Sequence, residues 1–209
     1  FKIKLTENQI RRQVSDIGIA LTGQTANLAP MDKVIYALRD VTSTVSSIPL
    51  IASSIMSKKI ASGADKILID IKVGNGALLP TKEMAKELSD IMKRIGKLYD
   101  REVRTIISDM NTPLGTSVGN ALEVLEAIDV LKNKETDNSF VDLCYELASD
   151  MISMALGVTK KDAFNMVFEA INSGKAYDKF LEMVRNQGGD VRRISLAKKK
   201  VEIIAPETG

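Results

Sequence analysis

Arg39, Ser54 and Lys58 are the side chains of this sequence whose types and spacing best suit chemistry. A guanidinium, a hydroxyl and an ammonium in one cleft fit a planar ring with carbonyl oxygens, above all one that turns anionic as it leaves. Arg39 offers a flat fork of donors, Lys58 a second positive charge, and Ser54 a short hydrogen bond that fixes orientation. Ser54 and Lys58 are four residues apart and therefore share a helix face. The competing reading is plain. Arg39 and Lys58 are solvated cations near helix C-termini, where the helix dipole favours positive charge. Spacing alone leaves both open.

The elements that must position these residues lie between Pro30 and Gly63, and the pattern reads as two short helices joined by a polar turn. Pro30 and Pro49 each suit the first turn of a helix, and Ser46 and Ser47 are available to cap the second. Met31, Ile35 and Leu38 form an apolar stripe on the first helix, flanked by Val34 and Val41. Asp40 follows Arg39 and is placed to orient it. In the second helix Ile51 and Ile55 are apolar, and Gly63 is a stop signal.

The stretch YALRDVTSTVSSIPLIASSIMSKK, residues 36–59, resembles the signature of the pyrimidine/thymidine phosphorylases. The likeness continues through DIKVGNGALLPT (70–81), SDMNTPLGTSVGNALEVLEA (108–127), QGGDV (187–191) and EIIAP (202–206). That resemblance implies a nucleoside phosphorylase with a helical lobe and a large α/β lobe, acting on a pyrimidine nucleoside with phosphate as co-substrate. It implies that Arg39, Ser54 and Lys58 bind the pyrimidine base. It also implies a monovalent cation, K⁺, held by the backbone carbonyls of Leu114 and Ser117 and the carboxylate of Glu126. Hard cations take oxygen ligands, so these groups are suitable; the plainer reading makes Glu126 a surface helix acid. A homodimer in the cytoplasm is the further expectation from the family.

Two loops invite a ligand reading. KVGNGA (72–77) follows an apolar run, and glycines at the carboxyl end of a strand let a phosphate or sugar approach backbone N–H groups. Two glycines serving a tight turn explain the same letters. If the run is a strand, Asp70 and Lys72 point away from Ile69 and Ile71 and toward a cleft.

Composition bounds the rest. The 209 residues are 44% hydrophobic and 27% charged, ordinary for a globular chain, and 29 basic against 27 acidic residues leave no electrostatic footprint for nucleic acid. One cysteine, Cys144, excludes an internal disulfide and fits a reducing compartment; its helical apolar setting reads as buried filler. No run approaches the ~18 apolar residues of a membrane helix, and no signal-peptide pattern is visible. There is no histidine, which removes Ser-His-Asp and Cys-His catalysis and histidine-metal sites from this chain. The family places a histidine beside its phosphate segment, so this is a departure. The chain opens on Phe1 and closes on EIIAPETG, and the expectation is an internal section of a longer enzyme, lacking the phosphate-cradling glycine segment.

Along the chain the pattern predicts a helix from near Thr6 and a buried strand at IGIALTG (17–23), followed by a polar connection GQTANLAP (23–30). A strand KILIDIKV (66–73), an amphipathic helix at 81–100, a strand VRTIISDM (103–110) and a helix at 121–133 follow. Residues 138–187 read as helices broken at Gly157 and Gly174, and VEIIA (201–205) as a last strand. Alternating strands and helices argue for a mixed, mostly parallel α/β sheet flanked by helices, with part of a small helical lobe. The expected division is 1–30 as the start of the α/β lobe, 31–63 as the helical-lobe segment with the base site, and 64–209 as the main α/β domain. An anthranilate phosphoribosyltransferase-like enzyme shares this architecture, but would need a diphosphate-binding glycine loop with acidic metal ligands. A catalytically inactive α/β remnant is the third reading.

Overall fold

The computed structural model describes residues 1–23, 29–134 and 138–204. The order is α1 (Glu7–Ile17), α2 (Pro30–Val41), α3 (Ile48–Ala61), β1 (Lys66–Val73), α4 (Lys82–Leu98), β2 (Glu102–Asp109), α5 (Asn120–Leu131), α6 (Ser139–Leu156), α7 (Lys160–Asn172) and α8 (Lys175–Asn186). The fold is α/β, as expected, with β1 and β2 paired in parallel from Lys66↔Glu102 to Val73↔Asp109. Among the described residues these form the sheet.

The strand alternation of β1 builds the core. Ile67, Ile69, Ile71 and Val73 point to one face and meet Ile51, Ala52 and Met56 of α3 and Ala85, Leu88 and Met92 of α4. Each fully buried Ile, Leu or Met side chain stabilises by about 1.5–3 kcal/mol, so α3 is fixed on its apolar side by this packing. The other face of β1 lies beneath α6, and Lys66 donates to the Met154 carbonyl at the end of that helix. There Asp70, Lys72 and Ser108 close on one another: Ser108 donates to Asp70, and Lys72 lies 3.0 Å from the Ser108 oxygen. Asp70 and Lys72 do face away from Ile69 and Ile71, but they spend their bonds in this cluster.

Capping agrees with the sequence at several ends. Thr6 and Gln9 form a capping box on α1, and Thr81 accepts from the Met84 N–H at the start of α4. Gly157 ends α6 in the left-handed region, and Gly174 starts α8 there. Ser47 is the N-cap of α3, yet its side chain makes no capping bond.

Among the described residues two expected strands are absent, and the α2 stripe is exposed. IGIALTG is no strand: Ile17 ends α1, Gly18 is its left-handed cap, and Ile19 and Leu21 are exposed. The backbone bonds of Leu21 go instead to the buried Gln187 side chain, which accepts from the Leu21 N–H and donates to its carbonyl. Val201–Ile204 is irregular and exposed, and Ala205 lies outside the described residues, as do 24–28 of the polar connection and the end of the EIIAP motif. The apolar stripe of α2 faces outward, with Met31, Val34, Ile35, Leu38 and Val41 all exposed. Among the described residues no helix is long and apolar enough to cross a membrane.

Candidate functional site

Helix α2 has an inverted burial pattern: its buried side chains are Asp32 and Arg39. They lie seven residues apart, two helical turns, so they share the face turned to α3. At one end of this polar seam the Arg39 guanidinium, 4% exposed, donates to the backbone carbonyls of Thr44 (3.4 Å), Val45 and Leu50 (3.3 Å). It also stands 5.3 Å from the centre of the Tyr36 ring. These bonds fold the 42–47 turn back on α2 and fix the guanidinium over the first turn of α3. Backbone carbonyls, and not the exposed Asp40, orient Arg39.

At the other end Lys58 reaches back across the seam. Its Nζ donates to Asp32 Oδ2 at 2.9 Å and to Ser54 Oγ at 3.1 Å. Burial alone would raise the Asp32 carboxyl, but Lys58 and the adjacent Ser54 hydroxyl hold it below the usual carboxylate range, with Arg39 adding to the field. A lysine has three N–H donors and an arginine five. Among the described residues Lys58 uses two and Arg39 three, so each keeps donors for a carbonyl oxygen placed in the seam.

The second candidate region is the loop from Met110 to Gly119. Glu126, 9% exposed, accepts from the Thr116 N–H at 2.7 Å, the Thr116 hydroxyl at 3.0 Å and the Ser117 N–H at 3.1 Å. The Thr116 N–H contributes most to holding its carboxyl below the ordinary value of 4.5, against the opposing effect of burial. Gly115, at φ +70°, packs on this carboxylate: a Cβ there would stand 2.6 Å from a Glu126 oxygen. Glu126 is therefore a buried loop anchor and not a surface acid. Leu114 and Ser117 are half-buried in the same loop. A carboxylate suits a hard cation, but the backbone groups that meet it here are N–H donors, one on each of its oxygens. Among the described residues no group of three or more acidic, cysteine or histidine side chains could hold a metal.

The Gly74–Gly76 turn is closed by its neighbour. Gly76 donates to the Met110 carbonyl at 2.9 Å, Asn75 donates to the Asn111 side chain at 3.1 Å, and Cβ atoms on Gly74 and Gly76 would meet Asn111 and Met110 at 2.7 and 2.8 Å. Close approach of two loops explains both glycines.

Residues 1–177 match the family model described as the glycosyl transferase family, a/b domain. The chain belongs to the glycosyl transferase family. Among curated relatives, the pyrimidine-nucleoside phosphorylases of Staphylococcus aureus strains USA300, NCTC 8325 / PS 47 and bovine RF122 / ET3-1 are each 46% identical to it over 216 aligned positions. Each alignment covers all of this chain and 50% of the relative, so the chain spans about half the length of the curated relatives it matches.

Within this member of the family the structure brings Ser54 and Lys58 into contact and sets Arg39 on the same helix pair. Ser117 and Glu126 meet in the loop before α5, where the Ser117 N–H donates to the Glu126 carboxylate, and Leu114 is half-buried in the same loop. Asp32 was missed in the sequence. Its signal was available: an acid two turns before Arg39, on a helix whose apolar letters already marked the other face.

Proposed function

We propose that the α2–α3 seam binds the pyrimidine of a nucleoside, and that the chain belongs to a pentosyltransferase whose intact form cleaves uridine, thymidine or deoxyuridine with phosphate. The observation that carries this reading is that one helix pair holds a buried guanidinium bonded to the Leu50 carbonyl of α3, a buried hydroxyl, and a lysine ammonium 3.1 Å from that hydroxyl. The names of the relatives support it. In the proposed reaction a phosphate oxygen bonds to the pentose C1′ as the glycosidic C–N bond breaks. The bonding pair leaves with the base as an anion, which takes up the proton that the attacking phosphate gives up, leaving a free pyrimidine and a pentose 1-phosphate. The ring carbonyls take up negative charge, and the remaining donors of Arg39 and Lys58 stabilise it more as it grows.

Further parts of the proposal have their own support. Glu126, with the carbonyls of Leu114 and Ser117, is the proposed seat of K⁺, since its carboxylate is anionic and buried. A homodimer in the cytoplasm fits the single cysteine and the exposed apolar face of α2. The division at 1–30, 31–63 and 64–209 belongs to the same reading. Titration calorimetry of the purified chain with uracil and with thymine tests it: saturable binding is expected, and no binding of either up to its solubility limit overturns the pyrimidine assignment.

A further inference from the structure

We propose that Asp32 is the positioning and charge-selecting residue of the α2–α3 site: it holds the Lys58 ammonium against Ser54 and tunes the site for a neutral pyrimidine over an anionic one. The inference rests on the pyrimidine reading above and adds a residue to it.

The geometry argues for positioning. Lys58 has a flexible four-carbon stem, and a lysine side chain near a helix C-terminus ordinarily takes its charge out to water. Here Nζ is turned inward by two bonds, 2.9 Å to Asp32 and 3.1 Å to Ser54. Ser54 is on the same helix as Lys58 and cannot by itself pull the ammonium toward α2. Asp32 is on the facing helix, 9% exposed, and is the buried acid of α2. With the ammonium held at two N–H bonds, the third has a restricted set of directions, which is what a ring carbonyl needs.

Charge selection follows from the same contact. Arg39 and Lys58 bring two positive charges and Asp32 one negative charge, and Asp32 feels both cations. The seam therefore carries a net charge of one, not two. A neutral ring with polar carbonyls is served by oriented donors whatever that sum is. A ring that arrives as an anion is drawn by the sum, and Asp32 repels it. In turnover the base is neutral when it enters and gains charge only as the bond breaks. Asp32 thus opposes a bound anion, and in proportion the charge that grows as the bond breaks, while keeping the donors aimed.

The test compares uracil, neutral at pH 7, with barbiturate, a pyrimidine trione that is an anion there, on the purified chain and on Asp32→Asn, Asp32→Ala and Asp32→Glu. Asn keeps the shape and an acceptor for Lys58 but removes the charge; Glu keeps the charge. The ratio of barbiturate to uracil affinity is expected to rise about tenfold in Asp32→Asn, to rise in Asp32→Ala with an added loss of uracil affinity, and to remain near the starting value in Asp32→Glu. A purely structural role would weaken both probes together and leave the ratio unmoved. Circular dichroism on each variant confirms the fold, and the isosteric Asn variant decides the matter where the Ala variant unfolds. An unchanged ratio in folded Asp32→Asn overturns the charge-selecting role. Failure of the unaltered chain to bind either probe overturns the pyrimidine reading itself, and this proposal with it.

Discussion

At the scale of single residues, Lys58 is the sharpest discriminator between a site and a surface. Lys58→Met keeps the length of the side chain and much of its packing but deletes the charge. A solvated helix-end cation would tolerate this within about 0.5 kcal/mol of stability. Lys58 instead neutralises Asp32, which is nine-tenths buried while Lys58 is half-buried, and removing one partner of such a bond costs about 1–3 kcal/mol. Uracil affinity is expected to fall about ten- to a hundredfold, the equivalent of one charge-assisted hydrogen bond of about 1.5–3 kcal/mol. Lys59→Met is the control, since Lys59 is exposed on the next position of the same helix. Denaturant melts and uracil titrations of both variants check the contrast. Equal, small effects in the two would return Lys58 to the surface.

At the scale of elements, the loop before α5 is tied down by one side chain. Glu126→Gln replaces a carboxylate that accepts three hydrogen bonds with an amide that has a single acceptor oxygen. The loss is expected to cost about 1.5–3 kcal/mol for each charge-assisted bond that fails to re-form. The acid dependence has a definite sign. The folded carboxyl is held below 4.5, so its contribution is present above that value and is lost as pH falls through the depressed one. Glu126→Gln should flatten that acid limb. K⁺ gives a second readout, because a ligand bound to the folded state raises the melting temperature with concentration. A rise with KCl in the unaltered chain that vanishes in Glu126→Gln is expected. An identical K⁺ response in both would overturn the proposed cation role of Glu126.

Legibility in the sequence also divides by element. Helix α4 and strand β1 were readable because their apolar periods, 3.6 and 2, match the surfaces they bury, and Thr81 marks the start of α4. The run at 17–23 misled because an apolar stretch bounded by glycines carries no record of where its backbone bonds go. Those of Leu21 go to Gln187, 2% exposed, which bonds Lys2, Gln13 and Leu21 from more than 160 residues away. No local pattern reports such a partner. Helix α2 misled for the opposite reason: a clean apolar stripe is taken to face the core, while here the packed face is the charged one. The i,i+4 pairing of Ser54 with Lys58 was legible; the Asp32 counterion needed the fold.

At the scale of the whole molecule, the proposed reaction needs two sets of groups, one for the leaving base and one for phosphate. The proposed first set, Asp32, Arg39, Ser54 and Lys58, comes from two adjacent helices, and α3 is fixed by its apolar side to β1 and α4. For the second set, the glycine turn at the end of β1 is closed by Met110 and Asn111, and no histidine exists in the 209 residues. Affinity for the base and turnover of the nucleoside should therefore separate. The purified chain is expected to bind uracil, yet to release none from uridine in the presence of phosphate. The energetic reason is that donors aimed at the base lower the barrier only when a nucleophile is held in line at C1′, and effective molarity from such positioning supplies about 7–11 kcal/mol. Chromatography of uridine incubated with the chain and phosphate checks this against a protein-free control. Phosphate-dependent uracil release above that control would show that phosphate is positioned by groups within these 209 residues, and would place the second half of the site here as well.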